Sequence, residues 1–390
     1  MTRYTKHFKR IIVSLLIVAL LFMSGCSNSQ QSQQSIPNGS ANGSDTSQNQ
    51  QQQSNNAENG TETTGTRIIE DSLGRQVEVP YDAERIAALY SFAGYAVTML
   101  GKGDKIVATP NGLKRDAMVR ILVPSIMDAL VPRSSGIINA EELINANPDL
   151  IIVRMQTGLN EAETAKLDLL GIPYVVVDFN NIEEQQKAIA MVGDAINRQQ
   201  EAADYNAYYQ DAVERVSGVV EAIPHEERVR LYHSINDMTR TAASGTLAAD
   251  WSIVAGANNV SVGQNLRESN GDYHASIEQI LTWNPQVVFA NEQRVVDYIK
   301  ENSQWSPIEA VKNNQVYKMP HGLSRWGHPD ALETPITILW AAKTLYPDKF
   351  QDLDIGQEIV SFFERFFDYS LTSEEVKDIL SGEGMRDEKK

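Results

Sequence analysis

A helix–strand unit occurs twice in the sequence, and it constrains the fold more than any other feature. The first copy, residues 139–152, reads NAEELINANPDLII, and the second, residues 276–289, reads SIEQILTWNPQVVF. The two copies align without a gap. In each, a capping residue opens a helix, an Asn-Pro pair ends it, and an apolar run follows as a buried strand. The chain is therefore predicted to contain two similar lobes of helices and strands.

The ends of both repeated helices carry residues with the expected chemistry. Asn139 and Ser276 are predicted N-caps, and three positions later Glu142 and Gln279 are predicted to complete capping boxes. The residues that can take the left-handed backbone conformation just before each proline are Asn147 and Asn284.

Short apolar runs alternate with helical stretches along the rest of the chain. Runs such as 150–153 and 173–177 lack the polar alternation of a sheet with one wet face, so they predict parallel sheets covered on both sides. An amphipathic stretch, 182–223, separates the halves, and its second half reads as one long helix because it lacks proline. The predicted fold class is α/β, with two Rossmann-like lobes joined by a single long helix and a ligand cleft between them.

The N-terminus has the layout of a bacterial lipoprotein signal peptide. Basic residues up to Arg10 precede an apolar run, Ile11–Met23, that is shorter than a membrane span. Ser24 and Gly25 lead directly to Cys26, the sole cysteine of the chain, so a disulfide within the chain is excluded. This order resembles the lipobox, in which the cysteine is diacylated and anchors the protein. A simple secretion signal with a chance cysteine is the alternative.

A polar tract follows the cysteine, and it completes the predicted organisation of the chain. It consists almost entirely of Ser, Gln, Asn, Gly, Thr and Ala, so it has little to bury. The predicted segments are a lipoprotein signal peptide with its lipobox at 1–26, a disordered linker at 27–66, an N-terminal lobe at 67–193, an inter-lobe helix at 194–223 and a C-terminal lobe at 224–390.

Charge and histidine placement argue against several classes of function. A formal net charge of -17 disfavours nucleic-acid binding. No histidine lies between the signal peptide and His225, so the N-terminal lobe cannot supply imidazole to a zinc or manganese cage. The sequence HEERV at 225–229 lacks the second histidine of a zinc-protease motif, and neither a phosphate-binding loop nor a G-x-S-x-G elbow is present. We therefore predict no catalytic residue, no metal site and no intrinsic cofactor.

From Ile68 to the C-terminus the chain resembles the substrate-binding lipoproteins of iron-siderophore, haem and corrinoid ABC importers. The motifs that carry the resemblance are DSLGRQVEVP at 71–80, RIAAL at 85–89, the first helix–strand unit, SRWGHP at 324–329 and LETP at 332–335. The resemblance implies a monomer, lipid-anchored on the extracytoplasmic face of the cell membrane, that delivers its solute to a permease dimer with its ATPase. It also implies small lobe movements on ligand binding, because a stiff helix connects the lobes.

The same resemblance implies a docking role for one glutamate in each lobe. By their positions in the two helix–strand units these residues are Glu141 and Glu278, which would bind arginine pockets of the permease. The alternative is purely local, since a carboxylate in the first turn of a helix is stabilised by the backbone dipole by roughly 0.3–1 kcal/mol.

Candidate ligand-binding residues follow the predicted strands, because binding loops in open α/β sheets lie at the carboxyl ends of strands. Aromatic faces and guanidinium groups suit large, flat or anionic ligands such as metal chelates. The resemblance puts an iron(III)-siderophore first as the expected ligand, with haem, corrinoid and other metal chelates left open. The candidates are Tyr90, Phe92, Arg154, Gln156, Arg240, Asn291, Arg294, Arg325, Trp326 and His328. Core packing, strand capping and ion pairing are their alternative roles. For the whole protein, the alternatives are a tethered sensory or structural lipoprotein without transport, and a secreted hydrolase.

Overall fold

The computed structural model describes residues 65–134 and 136–387. The predicted signal peptide, Cys26 and the predicted linker up to residue 64 lie outside these residues. Within the described part of the chain, no helix combines the length and the apolar character needed to cross a membrane. The described residues form two α/β lobes, each built around its own β-sheet.

The N-terminal lobe is built on a parallel sheet. The strands of the whole lobe are β1 (Thr66–Glu70), β2 (Gln76–Pro80), β3 (Ile86–Ala88), β4 (Ile106–Ala108), β5 (Arg133–Ser134), β6 (Ile137–Ile138), β7 (Leu150–Arg154) and β8 (Tyr174–Val177). Strands β4, β3, β7 and β8 lie side by side in that order and run parallel. The opening motif forms the β1–β2 hairpin, in which Gly74 takes a left-handed conformation with φ of 72°.

The helices of the N-terminal lobe pack around this sheet. They are α1 (Ser91–Val97), α2 (Asn111–Lys114), α3 (Ala117–Leu122), α4 (Ala140–Ala146), α5 (Met155–Gly158), α6 (Glu161–Leu170) and α7 (Ile182–Ala195). Helix α4 is the first repeated helix: Asn139 caps it, and Asn147 ends it with φ of 47°. The capping box predicted there is wrong, because Glu142 accepts a hydrogen bond from the backbone N–H of Val131 at 3.3 Å instead.

The inter-lobe helix is α8 (Gln199–Val220), which begins later than the predicted residue 194. Helix α7 ends at Ala195, and Asn197 takes a left-handed conformation with φ of 60°, so the amphipathic stretch breaks into two helices. The break brings α7 and α8 side by side, and Tyr209 of α8 donates a hydrogen bond to Gln185 of α7 at 2.8 Å.

The C-terminal lobe has a mixed sheet. Its strands are β9 (Arg230–Ser234), β10 (Arg240–Thr241), β11 (Asn258–Asn259), β12 (Arg267–Ser269), β13 (Asp272–His274), β14 (Val287–Ala290) and β15 (Val316–Lys318). Strands β9, β14 and β15 run parallel, as the sequence predicts. The antiparallel edge of β10, β13 and β12 differs from the expected parallel sheet. Its β12–β13 hairpin turns at Asn270 and Gly271, both with positive φ, which is the geometry a two-residue hairpin requires.

Helices also cover the C-terminal sheet. They are α9 (Leu247–Val254), α10 (Ile277–Trp283), α11 (Gln293–Glu301), α12 (Glu309–Lys312), α13 (Thr334–Leu345), α14 (Ile355–Phe367) and α15 (Ser373–Ser381). Helix α10 is the second repeated helix. Here the predicted capping box is confirmed, because Ser276 and Gln279 exchange hydrogen bonds, and Asn284 ends the helix with φ of 44°.

Both sheets bury two faces. In β7, Leu150 and Ile152 belong to a large core shared by the two lobes, whereas Ile151 and Val153 face a second core of the N-terminal lobe. Strands β9 and β14 alternate in the same way between the shared core and a separate C-terminal core. Phe362 of α14 packs in the shared core against the aromatic face of α8. The lobes are therefore joined by packed helices as well as by chain connections.

Candidate functional site

The strands of both lobes end at a cleft, in which the described residues form two large cavities. The β8-side cavity has a volume of about 540 Å³ and is lined by residues that follow β7 and β8 and by residues within 240–248 and 270–273. The β15-side cavity has a volume of about 840 Å³ and is lined by residues that follow β14 and β15, by Arg115 and by the C-terminal segment 382–387. The two cavities share no lining residue.

Half of the predicted ligand-binding residues line the β8-side cavity: Tyr90, Arg154, Gln156, Arg240 and His328. Arg154 is the last residue of β7, and its Nε is buried without a hydrogen-bond partner among the described residues. Arg240 is already paired with Asp272 at 2.6 Å. Among the described residues Arg154 forms no ion pair, so its guanidinium is freer than that of Arg240 to bind a ligand.

The other lining residues of this cavity include several that the sequence analysis missed. Asp178, Phe179 and Asn180 directly follow β8, and Tyr273 lies in the antiparallel hairpin. Burial raises the pKa of Asp178, and the neighbouring charge of Arg154 opposes that rise. The strand-end rule, by which binding residues follow the carboxyl ends of strands, predicts Asp178, Phe179 and Asn180 when it is applied to the strand at residues 173–177. The Asn-Gly pair at 270–271 was the available signal for the hairpin.

Tyr90 and His328 are held by the protein itself. The hydroxyl of Tyr90 donates to the carbonyl oxygen of Val177 at 3.1 Å, and burial raises the pKa of Tyr90 well above its usual value. Burial, and then the charge of Arg325, lower the pKa of His328 well below its usual value, so this imidazole is neutral at neutral pH.

Among residues 65–134 and 136–387, no group of three or more His, Cys, Asp and Glu side chains is placed to hold a metal ion.

Three further predicted residues line the β15-side cavity instead. Asn291 is buried and donates to the carbonyl oxygen of Trp326 at 2.7 Å. Arg294 donates to the carbonyl oxygen of Asn236 at 2.6 Å. Arg325 forms an ion pair with Glu292 at 3.1 Å. The strand-end rule therefore found residues of two different cavities.

The structure corrects the predictions for Phe92 and Trp326, because both side chains are fully buried and line neither cavity. Helix α1 begins at Ser91, so Phe92 lies in its first turn and packs on Phe179 with ring centroids 4.4 Å apart. Trp326 packs against Trp340 of α13 with ring centroids 6.4 Å apart. Core packing, the alternative role, is what the structure shows for both.

The motif loop at 322–330 is organised by Glu333. Its buried carboxylate accepts hydrogen bonds from the N–H of Leu323 at 3.1 Å, the N–H of Ser324 at 2.6 Å and the hydroxyl of Ser324 at 2.8 Å. A side chain at position 322 would collide with this carboxylate, so Gly322 is required there. The hydrogen bonds to the buried carboxylate of Glu333 thus hold in place the loop that carries Arg325 and His328.

This acid makes stability depend on pH. Burial, opposed by the hydrogen bonds from Ser324, raises the pKa of Glu333 to about 7, whereas an unfolded glutamate has a pKa of about 4.3. The stability contributed by the bound proton is fully present below pH of about 4.3 and is lost as pH rises through 7. We expect a loss on the order of 4 kcal/mol between these limits.

Urea unfolding of the wild type and of Glu333→Gln at several pH values from 5 to 8 measures this loss. Buried histidines such as His321, whose pKa burial lowers, act in the opposite direction below pH of about 6.5, and the variant keeps them. The difference between the two proteins therefore isolates Glu333. Equal pH slopes in both proteins would show that Glu333 does not titrate in this range.

The two predicted docking residues occupy equivalent exposed positions. Glu141 and Glu278 each lie in the first turn of a repeated helix. Neither lines a cavity. At the other end of each helix, an arginine at the start of a parallel strand donates to a terminal carbonyl oxygen. Arg85, which directly precedes β3, donates to Asn147 at 2.7 Å, and Arg230, the first residue of β9, donates to Asn284 at 3.2 Å. The repeat in sequence is therefore a repeat in three dimensions.

Comparison with known proteins identifies the fold. Residues 86–323 match the family described as periplasmic binding protein. The molybdate-binding protein MolA of Haemophilus influenzae is 25% identical over 331 residues, which cover 77% of this chain and 91% of that protein. The iron(3+)-hydroxamate-binding protein YxeB of Bacillus subtilis is 21% identical over 325 residues, which cover 79% and 88%. The solved structure of MolA bound to molybdate matches with a TM-score of 0.70 at 22% identity, over 78% of this chain and 99% of that one.

The family match spans more than half of the 390 residues, and the structural match extends over both lobes. The predicted resemblance to substrate-binding proteins and the predicted α/β fold class are both confirmed. This chain belongs to the periplasmic binding protein family, as a substrate-binding protein of an ABC importer.

Proposed function

We propose that this protein captures an iron(III)-siderophore or a related metal chelate outside the cytoplasmic membrane and delivers it to an ABC permease. The observation that carries the ligand class is the size of the β8-side cavity together with its mixed lining. Its volume of about 540 Å³ lies within the range of about 300–1,000 Å³ that is usual for sites of drug-sized molecules. A single tetrahedral oxyanion such as molybdate fills only a small part of that space.

The charges of the β8-side cavity also favour a chelate over a bare anion. Two guanidiniums line it together with three carboxylates, those of Asp178, Asp272 and Asp330. A bare dianion would meet more negative than positive charge there. A chelate offers hydrogen-bond donors and acceptors to both kinds of group, and Tyr273 and Phe179 supply aromatic surface for its organic part.

The proposal includes the position of the protein in the cell. A lipid on Cys26, which lies outside the described residues, would anchor the chain, and the polar linker would let the lobes reach the permease. The protein would act as a monomer, with one exposed glutamate on each lobe presented to the permease dimer. The outward location agrees with the family to which the chain belongs.

Ligand-induced thermal stabilisation of the purified protein tests the ligand class. The panel contains ferric hydroxamate, catecholate and carboxylate siderophores, haemin, cobalamin, molybdate and free divalent metals. A ligand at 100 times its Kd adds about 2.7 kcal/mol to the free energy of unfolding. Stabilisation by a metal chelate supports the proposal. Stabilisation by molybdate or free metal alone contradicts it, and no response across the panel favours the sensory alternative.

Arg154→Gln should weaken binding of the chelate roughly tenfold to a hundredfold, because a hydrogen bond from a charged donor contributes about 1.5–3 kcal/mol. The folded state should be little affected, since the Nε of Arg154 has no partner within the described residues. Titration calorimetry compares this variant with Lys312→Gln, which changes an exposed cation that lines neither cavity. Equal affinities in the two variants would remove Arg154 from the site.

A further inference from the structure

The β15-side cavity is cationic, in contrast to its neighbour. Five cationic side chains line it against three carboxylates. The cations are Arg115, Arg294, Lys318, Arg325 and Arg386, and the carboxylates are Glu292, Glu383 and Asp387. The β8-side cavity has the opposite balance, with two cations against three carboxylates. The two compartments of one cleft therefore offer different electrostatic environments to a solute.

Most carboxylates near the β15-side cavity are already paired. Glu292 is paired with Arg325 at 3.1 Å, and Asp387 is paired with Arg120, which lies outside the cavity, at 2.9 Å. Arg386 is paired with the buried carboxylate of Asp116.

The remaining cations of this cavity lack such partners. Within residues 65–134 and 136–387, the side chains of Arg115 and Lys318 make no ion pair and no hydrogen bond at the distances that define one. Arg294 binds only a backbone carbonyl. Glu383 is the one lining carboxylate in this part of the chain that forms no ion pair. An excess of unneutralised positive charge is therefore built into the cavity wall.

The cations of this cavity also act on one another. Burial, and then the charge of Arg386, lower the pKa of Arg115. Burial, and then again Arg386, lower the pKa of Arg325. Burial lowers the pKa of Lys318. Each shift means that the charged form is less stable in the folded protein than in water, and a bound anion would reverse that effect.

We propose that the β15-side cavity is a second binding site, separate from the chelate site, for a small multiply charged oxyanion of the phosphate or polycarboxylate class. Arg115 and Lys318 bind its oxygens with donors that are not used within the described residues, and Arg294 adds its guanidinium, of which one donor already binds the carbonyl oxygen of Asn236. Guanidinium forks match carboxylate and phosphate geometry. This site goes beyond the proposed function, because it holds an anion whether or not a chelate occupies the other cavity.

The donors of this site come from both lobes. Arg115 follows α2 in the N-terminal lobe, and Lys318 ends β15 in the C-terminal lobe. The C-terminal segment closes the cavity, since it returns to the N-terminal lobe and pairs with it: the N–H of Ala117 donates to Met385 at 2.9 Å, and the N–H of Asp387 donates to Arg115 at 3.0 Å. A bound anion therefore bridges the lobes and favours the arrangement in which the cleft is closed.

Titration calorimetry of the purified full chain with inorganic phosphate, citrate and acetate at constant ionic strength tests this site. Phosphate or citrate should bind, and monovalent acetate should bind much more weakly. The double variant Arg115→Gln, Lys318→Gln should lower the affinity for the multiply charged anion at least tenfold. Both side chains lack partners in the described structure, so the variant should keep its fold, which circular dichroism verifies. Should it unfold, Arg294→Gln provides the same test from an exposed position.

Two matched variants separate this site from the chelate site. Lys300→Gln removes an exposed cation outside both cavities and should leave anion binding unchanged. Arg154→Gln should weaken the chelate but leave phosphate and citrate unaffected. Absence of binding by every anion, or equal binding by the double variant and the wild type, overturns the second site. Loss of anion binding in Arg154→Gln instead would place the anion in the β8-side cavity and also overturn it.

Discussion

Reversal of the charge at both Glu141 and Glu278 should abolish uptake of the solute while its affinity for the purified protein stays unchanged. Both carboxylates are exposed and lie outside the two cavities, so binding in the cleft does not depend on them. If each glutamate docks against arginines of the permease, an arginine in its place replaces attraction by repulsion at both contacts. Uptake of a labelled chelate by cells, with calorimetry on the purified variant, measures the two quantities.

A matched control distinguishes docking from a local effect on the helices. Glu161→Arg places the same reversal in the first turn of α6, at an exposed glutamate outside both cavities. All three reversals remove a favourable interaction with a helix dipole, of roughly 0.3–1 kcal/mol. The control should therefore lose a similar stability per site and retain full uptake. Normal uptake by the double variant, or weakened binding with normal uptake, would refute the docking role.

The neighbours of these glutamates show why the two positions are suitable for the test. Glu142 holds the N–H of Val131, and Gln279 completes the capping box with Ser276. Substitution of those neighbours would disturb the structure itself. In Glu278, a hydrogen bond from its own N–H and then one from Ser276 lower the pKa of the carboxyl, so it is charged at physiological pH. A charge reversal at these positions therefore changes the surface charge of both lobes, while the bond from Val131 to Glu142 and the capping box of Ser276 and Gln279 remain.

The sequence allowed the fold to be predicted because its main signals are local. Each repeated unit carries its own N-cap, its own left-handed terminus and its own buried strand within 14 residues, and all of these are found in the structure. The errors arose where a local pattern had two solutions. Glu142 could close a capping box or reach a neighbouring segment. The long helix predicted in the second half of the run 182–223 is confirmed, but it begins at Gln199 and not at the predicted residue 194, because Asn197 takes a left-handed conformation just before it.

The site could be predicted only in part, because the strand-end rule predicts which residues follow a strand but not the direction in which their side chains point. Arg154 and Arg240 follow their strands and face the same cavity. Phe92 follows β3 just as closely, but the helix that begins at Ser91 turns its ring into the core. Nothing in the sequence indicates that the cleft is divided or that the C-terminal segment closes one half. That division depends on contacts between residues more than 200 positions apart, such as Asp116 and His321.

Asp116→Asn should produce the largest loss of stability of the substitutions considered, about 3–5 kcal/mol, because it breaks a buried ion pair from one side. Asp116 is fully buried and accepts hydrogen bonds from Tyr95 at 2.5 Å and from His321 at 3.2 Å, as well as pairing with Arg386. These three partners come from the N-terminal lobe, the C-terminal lobe and the C-terminal segment. Urea unfolding at pH 7, followed by far-ultraviolet circular dichroism, measures the change.

A second substitution and the dependence on pH test the cause of that loss. The double variant Asp116→Asn, Arg386→Gln removes the partly buried guanidinium left without its partner, so it should regain part of the lost stability. Burial alone would raise the pKa of Asp116, but the hydrogen bond from His321 and the charge of Arg386 outweigh it, so the pKa lies below its usual value. The stabilisation is therefore fully present above the unfolded pKa of about 3.9 and is lost as pH falls through the lowered folded pKa. The difference between wild type and Asp116→Asn should accordingly shrink on acidification below pH of about 4. If it is under 1 kcal/mol at pH 7, or if it does not change on acidification, the charge of Asp116 does not hold the lobes and the C-terminal segment together.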